Sequence, residues 1–305
     1  MSDNYKKNFC SSPWFHLKIN NFGSYDYCRW AQSPATHNIQ TTTPLTYFQE
    51  HMNSIRQDFL DGKVPTGCHP CMSMEKQCKV SGRQKQLLKI GVRIDSFEKT
   101  LASSPWSPIF SNNNFKQLPQ DWQLDLGNYC NSACIFCSPE SSSRLASEWK
   151  KIGFIDKLPP KNWSDNPALI QKFVDTLKES PHIQYLHFIG GETVIIPGFK
   201  IILKELINAS LNETATIGFT TNLSIWDEEV EINIGKQSKN IARIGAAREQ
   251  TLILDSNKQG HVVMTPDGVT AISKLKIGNM LFGSSPTPPS YDAARGTVVF
   301  NETPN

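Results

Sequence analysis

Three cysteines, Cys130, Cys134 and Cys137, crowd into the segment Leu124 to Cys137. Thiolates at such close spacing can converge from one loop onto one metal centre. A four-iron cubane held by three of them keeps one iron open, and an open metal position is where a further molecule can bind and react. A structural zinc site is the alternative. Zinc favours four closed ligands; no fourth cysteine is near, and His182 or His187 would have to be recruited. Further along, Phe188-Ile189-Gly190-Gly191-Glu192 places a carboxylate behind two glycines. Glycines let a backbone approach a ligand closely, and a carboxylate accepts hydrogen bonds from an ammonium group. An ordinary strand-end turn would use the same residues. Thr220-Thr221-Asn222 is a further polar strand end. There Thr220 and Asn222 are candidates either for hydrogen bonds to a cofactor or for a helix or turn cap.

The other five cysteines lie nearer the amino terminus, at Cys10, Cys28, Cys68, Cys71 and Cys78, and none lies beyond Cys137. A secreted disulfide scaffold spreads its cysteines through a small chain, and a chain of 305 residues does not need that help. Clustered thiols in a reducing compartment point instead to metal or redox chemistry. Five thiols are one more than a four-ligand site takes. The favoured set is Cys10, Cys28, Cys68 and Cys71, with Cys78 able to replace one of them. A zinc knuckle built on Cys68-x2-Cys71 is a serious rival.

The elements that must position these groups follow from pattern and turn chemistry. Phe15 to Cys28 alternates apolar and polar residues across Asn20-Asn21-Phe22-Gly23, which predicts a hairpin. Leu45, Phe48, Met52, Ile55 and Leu60 stand near helical spacing, and Asp61-Gly62 with Pro65 ends that helix. Breakers between 91 and 120 predict a connector. Gln123 to Gly127 predicts a strand leading into the cysteine loop. Ser141 to Ser143 offers caps for a helix running to about Ile152, and Asn166-Pro167 opens another with Leu169, Phe173 and Leu177 on one stripe. Ile183 to Ile189 is a strand, Ile201, Leu203, Leu206 and Ile207 mark a helix, and Ala215 to Thr220 is a third strand. Alternating strands and helices imply βαβ units and a parallel sheet.

The pattern changes near Trp226. Short β-rich runs follow at Val230 to Ile234, Ile241 to Ile244, Thr251 to Leu254, His261 to Met264, Val269 to Ile277 and Thr297 to Phe300, punctuated by turns. The expected organisation is a cysteine-rich domain over 1–90, a connector over 91–120, a core over 121–228 and a β-rich tail over 229–305.

The cysteine loop resembles the radical S-adenosylmethionine (SAM) superfamily pattern, Cys-x3-Cys-x-aromatic-Cys after a first strand. That resemblance implies a [4Fe–4S] cluster on Cys130, Cys134 and Cys137, with the amino and carboxylate groups of S-adenosylmethionine on the open iron and Phe136 near the adenine. Gly190-Gly191-Glu192 resembles the family's Gly-Gly-Glu motif, which contacts the cofactor's amino group; Thr193 stands where the family usually has Pro. Thr220-Thr221-Asn222 resembles a polar strand end that often reads Thr-Asn-Gly, with Leu223 in place of the glycine. The amino-terminal cysteines, followed by Ser81-Gly82-Arg83-Gln84, resemble the twitch domain, a shortened relative of the SPASM domain, over roughly residues 9 to 84. In that family such cysteines hold one auxiliary [4Fe–4S] cluster. The order here, before the core, is similar to phage-encoded members, and Lys274 to Asn305 resembles phage tail-fibre sequence.

The implied fold is α/β, a partial (βα) radical SAM barrel with the small cysteine-rich domain before it and the β tail behind. The implied chemistry is reductive cleavage of S-adenosylmethionine to methionine and a 5′-deoxyadenosyl radical that abstracts hydrogen from a peptide or protein substrate. A reducing electron donor is implied as well. The barrel runs short of its family's strand count; either the tail or a partner chain covers the exposed sheet edge, or the core is that of a truncated or chimeric reading frame. A catalytically inert, metal-binding structural or virion-associated protein is the alternative. A net charge of +3 on 305 residues argues against a nucleic-acid partner. No apolar run is long enough to span a membrane, and MSDNYKKNFCSSPW has no apolar signal segment. The expected location is the cytoplasm, the host's if the chain is phage-encoded.

Overall fold

The computed structural model describes residues 7–31, 36–93, 96–103, 110, 118–134, 137–180, 183–211, 215–222, 225 and 229, and beyond these only the strand segments 239–244, 251–254, 262–265, 268–271, 283–285, 290–292 and 297–299. The described helices of seven or more residues are α1 (Asn53–Leu60), α2 (His69–Lys76), α3 (Gly82–Lys89), α4 (Phe97–Ser103), α5 (Ser143–Lys151), α6 (Pro167–Lys178) and α7 (Pro197–Asn208). The strands are β1 (His16–Ile19), β2 (Tyr25–Asp26), β3 (Asp121–Asp125), β4 (Tyr185–Ile189), β5 (Thr216–Thr221), β6 (Lys239–Ile244) and β7 (Thr251–Leu254), with short pairs after them. The architecture is mixed α/β, and its pairings from β1 to β6 are largely parallel. Two units divide the chain: 1–125 with 160–184, and 126–159 with 185–305. These units cut across the segments read from composition, because α6 joins the amino-terminal unit.

In the amino-terminal unit, β1 and β2 form the expected hairpin, and β1 runs parallel to β3. The turn is built by Asn20, whose Oδ1 accepts from the amides of Phe22 (3.0 Å) and Ser24 (2.9 Å). β3 begins two residues earlier than its apolar run suggested, and Trp122 and Leu124 are fully buried. Asn166 caps α6 through the Ala168 amide, as its sequence predicts. Phe173 of α6 meets Trp122 at 5.6 Å and Trp163 at 5.8 Å between ring centroids. That aromatic contact is why α6 belongs to this unit. A second aromatic cluster joins Phe9, Trp14, Phe97 and Phe110. Two of its rings come from the stretch expected to be a bare connector, where α4 forms. Each fully buried ring contributes roughly 1.5–3 kcal/mol by leaving water.

The helix expected over 45–60 is interrupted. Tyr47–His51 is a π-helical turn between Pro44–Thr46 and α1. The extra residue of a π turn rotates the face that follows. Phe48, Met52, Arg56 and Phe59 are therefore buried, while Leu45, Ile55 and Leu60 are only partly covered. Arg56 is tolerated inside because its guanidinium donates to the Pro13 carbonyl (2.9 Å), the Phe48 carbonyl (2.6 Å) and Asn53 Oδ1 (2.8 Å).

In the second unit the strand order is β4-β5-β6-β7. β4, β5 and β6 are parallel, and β7 closes antiparallel on β6. Parallel neighbours need a crossover, and α7 provides it between β4 and β5. Its buried stripe is Phe199, Ile202, Leu203 and Leu206, whereas Ile201 is exposed. Phe188, Phe199 and Phe219 stack the helix onto both strands. β6, beyond residue 228, pairs in parallel with β5 and extends the sheet. The later tail strands form separate small sheets, β8 (Val262–Thr265) between β9 (Gly268–Ala271) and β10 (Gly283–Ser285), and β11 (Ser290–Asp292) with β12 (Thr297–Val299). The run Val230 to Ile234 lies outside the described residues. Among the described strands, those of neither unit close into a barrel.

Candidate metal centres

The loop of Cys130, Cys134 and Cys137 is built from its own neighbours. Ser142 caps α5 by accepting from the Leu145 amide (3.2 Å), and its hydroxyl donates to the Ser132 carbonyl (2.7 Å). Ser143 accepts from the Cys130 amide (3.2 Å), and its own amide donates to the Asn128 carbonyl (2.7 Å). Arg144 donates to the Asn131 carbonyl at 2.9 Å. The first turn of α5 thus grips the loop at four residues. The Cys137 amide donates to the Cys134 carbonyl (2.9 Å).

The ends of β4 and β5 complete this region. The Gly191 amide donates to the Gly127 carbonyl (2.7 Å), and the Glu192 amide to the Tyr129 carbonyl (2.6 Å). A Cβ on Gly191 would stand 2.2 Å from the Tyr129 oxygen, so only glycine fits there. Glu192 is fully buried. Its carboxylate accepts from the Thr221 hydroxyl (2.5 Å) and the Asn222 amide (2.6 Å). Asn222 Nδ2 reaches Asn131 Oδ1 (3.0 Å) and Ser132 Oγ (3.1 Å) in the cysteine loop. Burial raises the Glu192 carboxyl above its ordinary value against the pull of these donors. Burial also raises the Cys130 and Cys137 thiols.

Gly191, Glu192 and Asn222 meet the cysteine loop. Thr221, beside the candidate Thr220, donates its hydroxyl to Glu192. Asn131 and Ser132 were not singled out, and Ser142 and Ser143 were read only as helix caps, not as residues that hold the cysteine loop. Phe136 lies outside the described residues.

The amino-terminal thiols come from three segments, with Cys68 and Cys71 together at the start of α2. Cys10, Cys28, Cys68 and Cys71 line one pocket of about 360 Å³, part of it open to solvent, together with Tyr27, Trp30 and Arg83. Cys10 and Cys28 are buried, and burial pushes both thiols up, with Cys28 adding to the effect on Cys10. Cys68 is pushed up to about 11, again mainly by burial. Tyr27 Oη contacts Cys68 Sγ at 3.3 Å and donates to the Thr66 carbonyl at 3.0 Å. The Trp30 amide donates to Cys28 Sγ at 3.4 Å. Cys78, offered as a substitute ligand, is exposed and does not line the pocket.

The donor chemistry of both places fits a thiophilic centre. At the pocket the buried Ser12 hydroxyl makes no hydrogen bond of normal geometry, yet it stands close enough to Cys10 and Cys28 to favour their ionised forms. A thiolate-bound centre would give it a partner. At the loop, Cys134 acts electrostatically on both Cys130 and Cys137. Among the described residues, no group of three or more His, Cys, Asp or Glu side chains is yet drawn together as a metal ion would need. A metal at either set would have to draw its thiols closer, as thiolate sites couple to their metals.

Comparison of the chain with protein-family models, curated proteins and solved structures gives no match. No helix among the described residues is long and apolar enough to cross a membrane.

Proposed function

We propose that this chain is a radical SAM protein. Cys130, Cys134 and Cys137 would hold a [4Fe–4S] cluster with one open iron for S-adenosylmethionine, and Cys10, Cys28, Cys68 and Cys71 an auxiliary cluster. One observation carries this reading: a three-thiol loop is hydrogen-bonded to the carboxyl ends of two adjacent parallel strands, at Gly191, Glu192 and Asn222. Ligands of open α/β sheets sit at such strand ends. When bound and reduced, the pair of cofactors supplies a carbon-centred radical for hydrogen abstraction. The chain's own part is to hold the loop from α5, to leave one metal position open and to limit water at a half-buried site. A peptide or protein is the proposed substrate class, with an external reductant as electron donor.

A second reading is favoured by Glu192. It is fully buried and engaged by Thr221 and Asn222, so as placed it braces the two strand ends rather than facing a ligand. On that reading the thiols hold metal for structural reasons only.

Anaerobic reconstitution with iron and sulfide separates the two. Iron, sulfide and zinc are counted per chain, then dithionite and S-adenosylmethionine are added and 5′-deoxyadenosine is measured. Radical SAM function requires iron on the loop, its loss in Cys134→Ala, and 5′-deoxyadenosine formation. Zinc in place of iron overturns that function. Iron on the loop without 5′-deoxyadenosine favours the structural reading.

A further inference from the structure

Arg83 is a charged side chain only 4% exposed, and it stands in the wall of the four-thiol pocket. Burying a guanidinium is costly unless it is paired. Its Nε donates to Glu75 at 2.9 Å, its Nη2 pairs with the same carboxylate, and its Nη1 donates to the Phe9 carbonyl at 3.0 Å. Each partner belongs to a thiol-bearing segment. Phe9 directly precedes Cys10. Glu75 lies four residues, or one turn, after Cys71 on α2. Arg83 also acts electrostatically on Cys68.

The rest of the α3 amino terminus serves the same wall. Ser81 caps α3 in a reciprocal capping box with Gln84, and its hydroxyl donates to Glu75. Gly82 lies under the Trp30 ring, where a Cβ would come within 2.4 Å, and Trp30 itself lines the pocket. Ser81, Gly82 and Arg83 thus hold three sides of one thiol site.

We infer that Arg83 is a positioning and charge-balancing residue for a multiply anionic centre on Cys10, Cys28, Cys68 and Cys71, with Glu75 as its counterweight. This rests on the auxiliary-cluster reading above. Four thiolates on a four-iron cluster carry a net double negative charge, which grows by one when an electron enters from a reductant such as dithionite; no bond breaks. A buried positive charge beside them stabilises the reduced form, and a carboxylate partner offsets it.

The test uses the full chain carrying Cys134→Ala, so that the amino-terminal centre is observed alone. Its midpoint potential is read from the paramagnetic signal during anaerobic dithionite titration. Arg83→Gln is expected to disfavour reduction about tenfold, a shift of about 59 mV to lower potential for one electron. Glu75→Gln breaks the same ion pair and is expected to move the potential the other way. Arg83→Lys keeps the charge and restores most of the shift. A merely structural role predicts the same direction for Arg83→Gln and Glu75→Gln, so like-signed shifts overturn the inference. So does a potential unmoved within twofold in both variants. Where Arg83→Gln fails to load iron, Glu75→Gln decides alone: a rise in potential supports the inference, and no rise overturns it. A chain with native Arg83 and Glu75 that takes no iron at this pocket sinks the auxiliary-cluster reading itself, a result visible before any potential is measured.

Discussion

Cys10, Cys28 and the Cys68/Cys71 pair reach one pocket from three separate segments, whereas Cys130, Cys134 and Cys137 share eight consecutive residues. The first set is partly buried, beside an inward-facing guanidinium and an aromatic cluster. The second is half-exposed and held by the cap of the helix that follows it. The difference concerns what each site depends on. A pocket assembled from distant segments exists only when its unit is folded, because loop-closure entropy must be offset by tertiary packing. The loop rests more on local hydrogen bonds from the first turn of α5, with the β4 and β5 ends adding to them.

The largest expected effect breaks the amino-terminal site and spares the loop. Phe9→Ala removes a ring that touches Trp14, Phe97 and Phe110 and loosens the segment carrying Cys10. It should cost about 3–5 kcal/mol in urea unfolding and abolish metal retention at the pocket. Iron or zinc retained on Cys130, Cys134 and Cys137 would then confirm that the sites depend on different packing; parallel loss at both would contradict it.

Gly191→Ala is the converse. Its Cβ would collide with the Tyr129 carbonyl, so the loop or the strand end must shift. Overpacking of this kind costs about 1–3 kcal/mol. The loop should lose metal while the four-thiol pocket keeps it, as measured by metal content of the purified chain.

Acid should act on the amino-terminal unit through Asp121. Burial opposes its ionisation, but His16, Arg29 and Lys89 outweigh that and hold its carboxyl below the usual value of 3.8. A folded-state value below the unfolded one contributes stability that is complete above about pH 4 and is lost as pH falls from there. The contribution is on the order of 2 kcal/mol. Urea titrations between pH 3 and 7 should show this acid limb in the parent chain and a shallower one in Asp121→Asn. Equal slopes would remove Asp121 from the account.

Ser142→Ala is the smallest change. It deletes the α5 cap and the hydrogen bond to the Ser132 carbonyl, for about 1 kcal/mol. Metal should bind the loop more weakly with the amino-terminal site unaffected, a contrast that competition with a chelator would resolve.

The local parts of both sites were legible because they rest on neighbours in the chain. The Asn20 turn, the Ser142 cap and the Asn166 cap each depend on a side chain bonding an amide two to four residues away. The buried stripe of the first long helix was misplaced by the π turn at Tyr47–His51, which periodicity cannot show. In α7 the stripe was displaced from Ile201 to Ile202 and Phe199, because packing against Phe188 and Phe219 sets the buried face. β6 was readable as a strand but not as a parallel neighbour of β5, since pairing depends on register rather than composition.

From the sequence alone came the thiol inventory, its clustering before residue 138, the glycine pair ahead of Glu192 and the α/β alternation. Residue type and short spacing carry that information, because metal donors and helix caps are local chemistry. Tertiary structure decided which amino-terminal thiols share a wall, that Cys78 is not among them, and that Arg83 faces the others with its charge balanced by Glu75. It also decided that Thr221, beside the candidate Thr220, engages Glu192. Most of these contacts join residues tens of positions apart, and the Arg83–Glu75 pair joins two different helices, so the packing of the unit is what brings them together.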